Sequence, residues 1–327
     1  MRVGLLTGGG DCPGLNAVIR AVVRRSLQHG FEVLGIKKGW LGLVTPEVRP
    51  LTLDAVSGIL HVGGTILATS RCNPFKLDHG AERVLEHFSA LGLDAVIAVG
   101  GEGTMRKAHR FATLGMPLVG VPKTIDNDLP GTDATFGFDT AVAIATEAID
   151  RLHSTAEAHN RVMVVEVMGR DVGWIATYAG LAGGADVILI PEVPWDIEEV
   201  CRLIKRRHWR GKTFSIVVVA EGVRFSEEDE PGGIAHRLAR EIETRTQFET
   251  RVTVLGHIQR GGSPTAYDRI LATRFGIYAA DMVQRGEFGR MAALRGREVI
   301  SVPLEEAATG LKKVDRDLYA IAQVFFG

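Results

Sequence analysis

At 327 residues the chain is too long for one ordinary core and reads as about two domains. Its 46% hydrophobic content and 39 glycines suit a compact α/β enzyme with many strand-to-helix turns. The 38 Lys and Arg against 39 Asp and Glu leave a net charge of -1, which excludes a bulk electrostatic footprint for nucleic acid or an anionic membrane. Cys12, Cys72 and Cys201 are far apart and form no CxxC, so neither a disulfide framework nor a zinc site is expected. The start, Arg2–Thr7, lacks the plan of a signal peptide, and no apolar run approaches the ~20 residues that span a bilayer. A cytoplasmic location follows as the expectation.

Apolar, β-branched runs recur at Val3–Leu6, Ala95–Val99, Leu118–Val121, Val162–Val165, Val187–Ile190, Ile216–Val219 and Val252–Leu255. Helical patterns at Ala17–Gln28, Thr140–His153 and Ile197–Arg207 separate several of them. Strands alternating with helices predict two doubly wound, mostly parallel sheets. The long helix beginning near Asp139 is the expected crossing point from one domain to the other, and Ser226–Gly233 is expected as a surface loop.

Ligands of open parallel sheets lie beyond the carboxyl ends of the strands, and the polar motifs fall there. Thr7–Gly14 follows the first run and opens a helix; its glycines allow amides to approach an anion, or make only a tight turn. Gly100-Gly101-Glu102-Gly103-Thr104 suits close approach to a phosphate chain, with Glu102 as the candidate metal ligand. The plainer reading of Glu102 is a complement to its own helix dipole. Pro122–Asp128 is the strongest motif: Thr124, Asp126 and Asp128 alternate along what reads as an extended segment, beside Lys123. Asp126 can take a proton from a hydroxyl, and Asp128 can orient a partner or magnesium. Met168-Gly169-Arg170 offers a cation for a moving phosphoryl group, Glu221 an acceptor for sugar hydroxyls, and His257 with Arg260 and Arg251 a grip for a phosphate monoester. The basic run Lys205–Lys212 reads as a solvated helix end.

Taken together, Gly8–Asn16, Arg71-Cys72, Gly100–Thr104, Pro122–Asp128, Arg161, Met168–Arg170, Glu221, Arg251 and His257–Gly262 resemble the 6-phosphofructokinase family over nearly the full length. The resemblance implies a nucleotide-binding larger domain, 1–138 plus about 255–305, and a sugar-phosphate-binding smaller domain, 139–254 plus about 306–327. It implies nucleotide contacts from Gly10, Arg71, Cys72, Gly101, Glu102, Gly103 and Thr104, with Glu102 in place of the usual magnesium-binding aspartate. Fructose 6-phosphate would be bound by Thr124, Asp126, Met168, Gly169, Arg170, Glu221, His257 and Arg260. Arg161 and Arg251 would reach the sugar phosphate of a neighbouring subunit, which implies a homotetramer. Asp126 would be the base on the sugar 1-hydroxyl, and Arg71 and Arg170 would stabilise the transferring group.

Two positions speak to the phosphoryl donor. Gly103 is the residue of ATP-using members, where pyrophosphate-using members usually carry aspartate; Lys123 is the pyrophosphate-type residue. An aspartate at 103 would oppose a nucleotide phosphate, whereas a lysine stem can turn aside, so ATP is the expected donor and pyrophosphate the alternative. Arg20, Arg24 and Lys212 fit the family's effector pocket, while His153 and Asp186 depart from it, so a weaker or different effector response is expected. A sensor that has lost catalysis would lack Asp126, Arg170 or an acid at 102; all are present.

Overall fold

The computed structural model describes residues 1–226 and 233–327. Of the expected surface loop Ser226–Gly233, residues 227–232 lie outside the described residues. The chain begins with strands β1 (Arg2–Gly8), β2 (Glu32–Ile36), β3 (Val48–Pro50), β4 (Ala95–Gly100), β5 (Leu118–Thr124) and β6 (Phe136–Gly137). Then come β7 (Val162–Val167), β8 (Val187–Leu189), β9 (Ser215–Ala220) and β10 (Thr250–Val254), and finally β11 (Arg290–Arg295) and β12 (Glu298–Pro303). The seven apolar runs therefore all contribute strands; in six of them burial on both faces leaves no polar alternation to write into them, whereas β10 is partly exposed. The helices Leu15–Gln28, Phe138–His159 and Ile197–Trp209 stand where the periodicity put them.

The chain divides into two compact units. The first comprises Met1–Thr124, Leu129–Asp139 and Arg260–Leu311, and its sheet runs β12-β11-β5-β4-β1-β2-β3, with β6 beside β5. Its central pairs are parallel, and the antiparallel pairs β2–β3 and β11–β12 close its two edges. Gly8 pairs with Gly100, and Gly100 with Pro122, so β1 and β4 finish level and β5 runs two residues further, to Thr124. The chain leaves β1 toward β2 on one side and returns to β4 on the other; such a reversal opens a crevice at the strand ends. Below it, Phe111 from the helix Glu102–Thr113 stacks on Trp40, ring centroids 5.0 Å apart, in a core with Leu6, Ile36, Met105 and Met291.

The second unit comprises Ile125–Asp128, Thr140–Gln259 and Lys312–Gly327. Its all-parallel sheet runs β10-β7-β9-β8. Val167 pairs with Ala220, which sets Met168 level with Glu221 at the carboxyl ends, and Glu166 pairs with Val254, which sets Leu255 one residue back, level with Val167.

These divisions differ from the expected boundaries in three places. Ile125–Asp128 clusters with the second unit, since the Lys312 N–H donates to the Asp128 carbonyl at 2.8 Å. The changeover near 255 lies instead at Arg260, because Leu255 donates to the Glu166 carbonyl and so prolongs the β10–β7 ladder. The changeover near 306 lies at Lys312, because the helix Leu304–Ala308 buries Leu304 and Ala307 in the first unit's core.

Candidate active site

In the first unit the site begins with Thr104. Its side chain is 1% exposed and folds back under the ends of β1 and β4. A Cβ on Gly8 would stand 2.7 Å from the Thr104 Oγ1, and one on Gly100 would collide with the same side chain. Both strands therefore have to end in glycine. The Thr104 hydroxyl finds no hydrogen-bond partner among the described residues. The helix Glu102–Thr113 starts at Gly101 without a side-chain cap, so its first amides are available to an anion. Glu102 occupies its first turn, 12% exposed, and pairs with Arg106 one turn on.

The glycine loop after β1 is tied on three sides. Gly9 donates to the Ser70 carbonyl at 3.1 Å and accepts from the Thr69 hydroxyl at 2.6 Å, which brings the exposed Arg71 and half-buried Cys72 alongside. Lys123, 2% exposed, donates its ammonium to the Gly10 carbonyl. Arg260 donates to the Asp11 carbonyl at 3.3 Å, and its guanidinium would lie 2.7 Å from a Cβ on Gly10. Arg260, expected at the sugar phosphate, is thus packed on the glycine loop of the first unit. Cys12 in the same loop is a structural thiol: burial above all pushes its pKa up to about 12. A Cβ at Gly103 would meet no atom within 4 Å, so this position opens to free space. One turn further, Lys107 is half-buried, and burial holds its ammonium below the ordinary lysine range near Cys72 and Glu102. Lys107 escaped the sequence reading; its place four residues after Gly103, on the same helix face, was the available signal.

In the second unit, Asp126, Asn127 and Asp128 are all buried, at 4%, 3% and 3%. The expectation of an extended segment from Thr124 to Asp128 is corrected here. The strand stops at Thr124, a bend follows, and Asn127 takes the left-handed conformation at φ 53°. Asparagine tolerates that region, which is why the turn carries one.

The loop after β7 is also unusual. Gly169 has φ 145° and Arg170 φ 55°, and both N–H groups donate to Glu221 Oε1, at 3.2 and 2.8 Å. Glu221, expected to accept sugar hydroxyls, thus spends one oxygen on shaping the loop that presents the exposed Arg170. Met168 is held by Gln259, fully buried, whose Oε1 accepts from its N–H at 3.3 Å. His257 is exposed in the short 3-10 turn Gly256–Arg260.

Arg161 and Arg251 do not join this group. Arg161 precedes β7 and Arg251 is the second residue of β10, so they lie at the amino ends of strands whose carboxyl ends bear Met168 and Leu255. Five residue steps along β7 span roughly 16 Å. Both guanidiniums bind Glu249 Oε1, Arg161 at 2.8 Å.

Of the effector candidates, Arg20 is half-buried and Arg24 exposed on the helix Leu15–Gln28, and Lys212 is exposed before β9. Lys212, His153, Asp150, Glu157 and Arg207 line a cavity of about 550 Å³ in the second unit. There Asp186 pairs with Arg207 at 2.7 Å, and its carboxyl is raised above the usual range by burial. The basic run is not merely solvated: Arg206 and Arg210 donate to the carbonyls of Phe326 and Gly327, each at 2.7 Å.

A glycine-lined anion cradle on one parallel sheet, and an acid–arginine cluster on another, make up the equipment of a phosphotransferase. The phosphofructokinase family model matches residues 2–283. The chain is 54% identical, over the full length of both proteins, to a pyrophosphate–fructose 6-phosphate 1-phosphotransferase of Streptomyces coelicolor. It is 53% identical, over 99% of each chain, to ATP-dependent 6-phosphofructokinase 3 of the same organism. Its fold resembles phosphofructokinase from Saccharomyces cerevisiae with a TM-score of 0.86 at 31% identity, covering 99% of this chain and 46% of that one. The chain belongs to the phosphofructokinase family and is a phosphotransferase.

Proposed function

We propose that the chain is an ATP-dependent 6-phosphofructokinase acting in glycolysis. It transfers the γ-phosphoryl group of ATP to the 1-hydroxyl of fructose 6-phosphate, releasing ADP and fructose 1,6-bisphosphate. The observation that carries ATP over pyrophosphate is the open space at Gly103, where the alternative aspartate would set a carboxylate against a nucleotide phosphate. Lys123 favours the second reading, pyrophosphate as donor, but its ammonium is engaged by the Gly10 carbonyl.

In this reading the amides and glycines of Gly10 and Gly101–Thr104, with Arg71 and Cys72, bind the nucleotide. Asp126 takes the proton of the 1-hydroxyl as its oxygen bonds to phosphorus and the β–γ bridge breaks. Arg71 and Arg170 balance charge on the moving group, and Thr124 and Lys123 line its surroundings. Met168–Arg170, Glu221 and His257 hold the sugar phosphate, while Arg260, expected there, braces the glycine loop.

Magnesium is ordinarily held through one or two carboxylates plus substrate phosphates. Glu102 fits that demand, and among the described residues no group of three or more His, Cys, Asp or Glu offers a protein cage. Bound there with the donor, the ion would neutralise phosphate charge.

The homotetramer belongs to this proposal as well. Arg161 and Arg251 stand at the strand ends remote from their own chain's sugar residues, as donors to a neighbouring subunit would. The helix Ala266–Gln284 exposes Tyr267, Ile270 and Ile277 at 48%, 61% and 40%, an apolar stripe suited to an interface. Among the described residues no helix is long and apolar enough to cross a membrane, and the three cysteines are unbridged; both support a cytoplasmic site of action. Arg20, Arg24 and Lys212 are assigned to a weak effector site.

The test supplies fructose 6-phosphate and magnesium with ATP or pyrophosphate as sole donor. Fructose 1,6-bisphosphate is expected with ATP. Product with pyrophosphate alone would select the second reading, and none with either would leave a non-catalytic sensor.

A further inference from the structure

The left-handed turn after Asp126 needs something to hold it, and the structure supplies one residue that does so twice. Lys312 Nζ donates to the side-chain Oδ1 of Asn127 at 2.9 Å. The main-chain N–H of the same Lys312 donates to the Asp128 carbonyl at 2.8 Å. The two residues that follow the proposed base are therefore gripped by one residue from 185 positions down the chain.

Lys312 is itself seated. Its carbonyl accepts from Trp174 Nε1 at 2.8 Å, and its ammonium lies 5.3 Å from the Trp174 ring centroid, within cation–π range. Two residues on, the Val314 N–H donates to Glu192 Oε1 at 3.1 Å. Glu192 also accepts from Gly173, whose N–H lies 3.0 Å from each of its carboxylate oxygens. Gly173 and Trp174 begin the helix Trp174–Ala182, directly after the loop that carries Arg170. The loop of the base and the loop of the arginine thus share one anchor, all within the second unit.

We propose that Lys312 is a positioning residue: it fixes the turn Asn127-Asp128, and through it the direction of the Asp126 carboxylate relative to Arg170. This rests on the reading of Asp126 as general base. A charge-assisted hydrogen bond is about twice as strong as a neutral one, which suits a clamp. Misplacing a reacting group by about 1 Å costs on the order of 100-fold in rate.

The test uses the full chain with fructose 6-phosphate and the donor it accepts. Lys312→Met should lower kcat by roughly 30- to 100-fold while the KM for fructose 6-phosphate stays within about 3-fold. Lys312→Arg should recover much of the loss. Asn127→Gly, which keeps the left-handed backbone and removes Oδ1, should reproduce the kcat-selective loss without touching Lys312. In the Asp126→Asn background, Lys312→Met should cost little more, because its route to the rate has been removed. Near-wild-type kcat in Lys312→Met, or losses that multiply in the double variant, would overturn the proposal. A Lys312→Met protein that does not fold leaves the decision to Asn127→Gly and its double with Asp126→Asn, read in the same way. A wild type inactive with both donors would sink the function reading, and this one with it; an active wild type with an indifferent Lys312 sinks only this one.

Discussion

The ammonium of Lys123 donates to the main-chain carbonyl of Gly10, and the lysine is 2% exposed. A residue that speaks for pyrophosphate in the sequence acts in the structure as a brace on the glycine loop. A hydrogen bond to a charged group contributes about 1.5–3 kcal/mol. Lys123→Met should therefore lower kcat/KM for ATP by about 10- to 100-fold and lower the thermal unfolding midpoint by several degrees. Steady-state kinetics and calorimetry check this. An unchanged midpoint with normal ATP kinetics would show that the brace is idle.

Gly103→Asp is the companion experiment. No atom lies within 4 Å of the new Cβ, so the variant should melt within about 2 °C of wild type. A carboxylate facing a phosphate costs several kcal/mol. The expected result is at least a 100-fold loss of kcat/KM for ATP, with pyrophosphate use emerging because Lys123 is already present. Unchanged ATP kinetics would remove this position from donor choice.

Those positions were legible because the physics that places them is local. Val3–Leu6, Ala95–Val99 and Leu118–Val121 are apolar throughout, and the glycines and acids that follow mark where each strand stops. The flanking strands of the first sheet, β2, β3, β11 and β12, were not legible. β2 starts on exposed Glu32, β3 is three residues long and ends in Pro50, and β11 and β12 form a hairpin with arginine and glutamate at its tips. Nor did alternation foresee the turn at Asn127, since the clamp that holds it comes from Lys312. Glu249 was missed for the same reason: its importance lies in the two arginines it binds, a property of β7 and β10 lying side by side.

Asp126 can be tested without disturbing packing, because Asp126→Asn is isosteric at a site 4% exposed. General-base catalysis is typically worth about 100- to 10,000-fold. The variant should lose kcat in that range while the KM for fructose 6-phosphate moves less than about 3-fold, since the rest of the sugar grip is retained. A near-normal kcat would assign the proton to another group.

Arg161 and Arg251 are joined through a single oxygen of Glu249. Arg161's hydrogen bond, with the charges of both arginines adding to it, holds the Glu249 carboxyl below the ordinary glutamate range. A depressed carboxyl stabilises the folded form above its unfolded pKa of about 4.3 and loses that contribution as pH falls through the folded value. Between pH 6 and 8 Glu249 is therefore ionised throughout and imposes no pH dependence of its own. The same carboxylate competes with any phosphate for the two guanidiniums. Glu249→Gln should lower the KM for fructose 6-phosphate several-fold at every pH in that window. Arg161→Ala and Arg251→Ala should each raise it by about 10-fold or more with a smaller change in kcat, as loss of binding shared by ground and transition states requires. If Glu249→Gln instead raises the KM as the arginine variants do, the carboxylate orients the pair for the phosphate rather than competing with it.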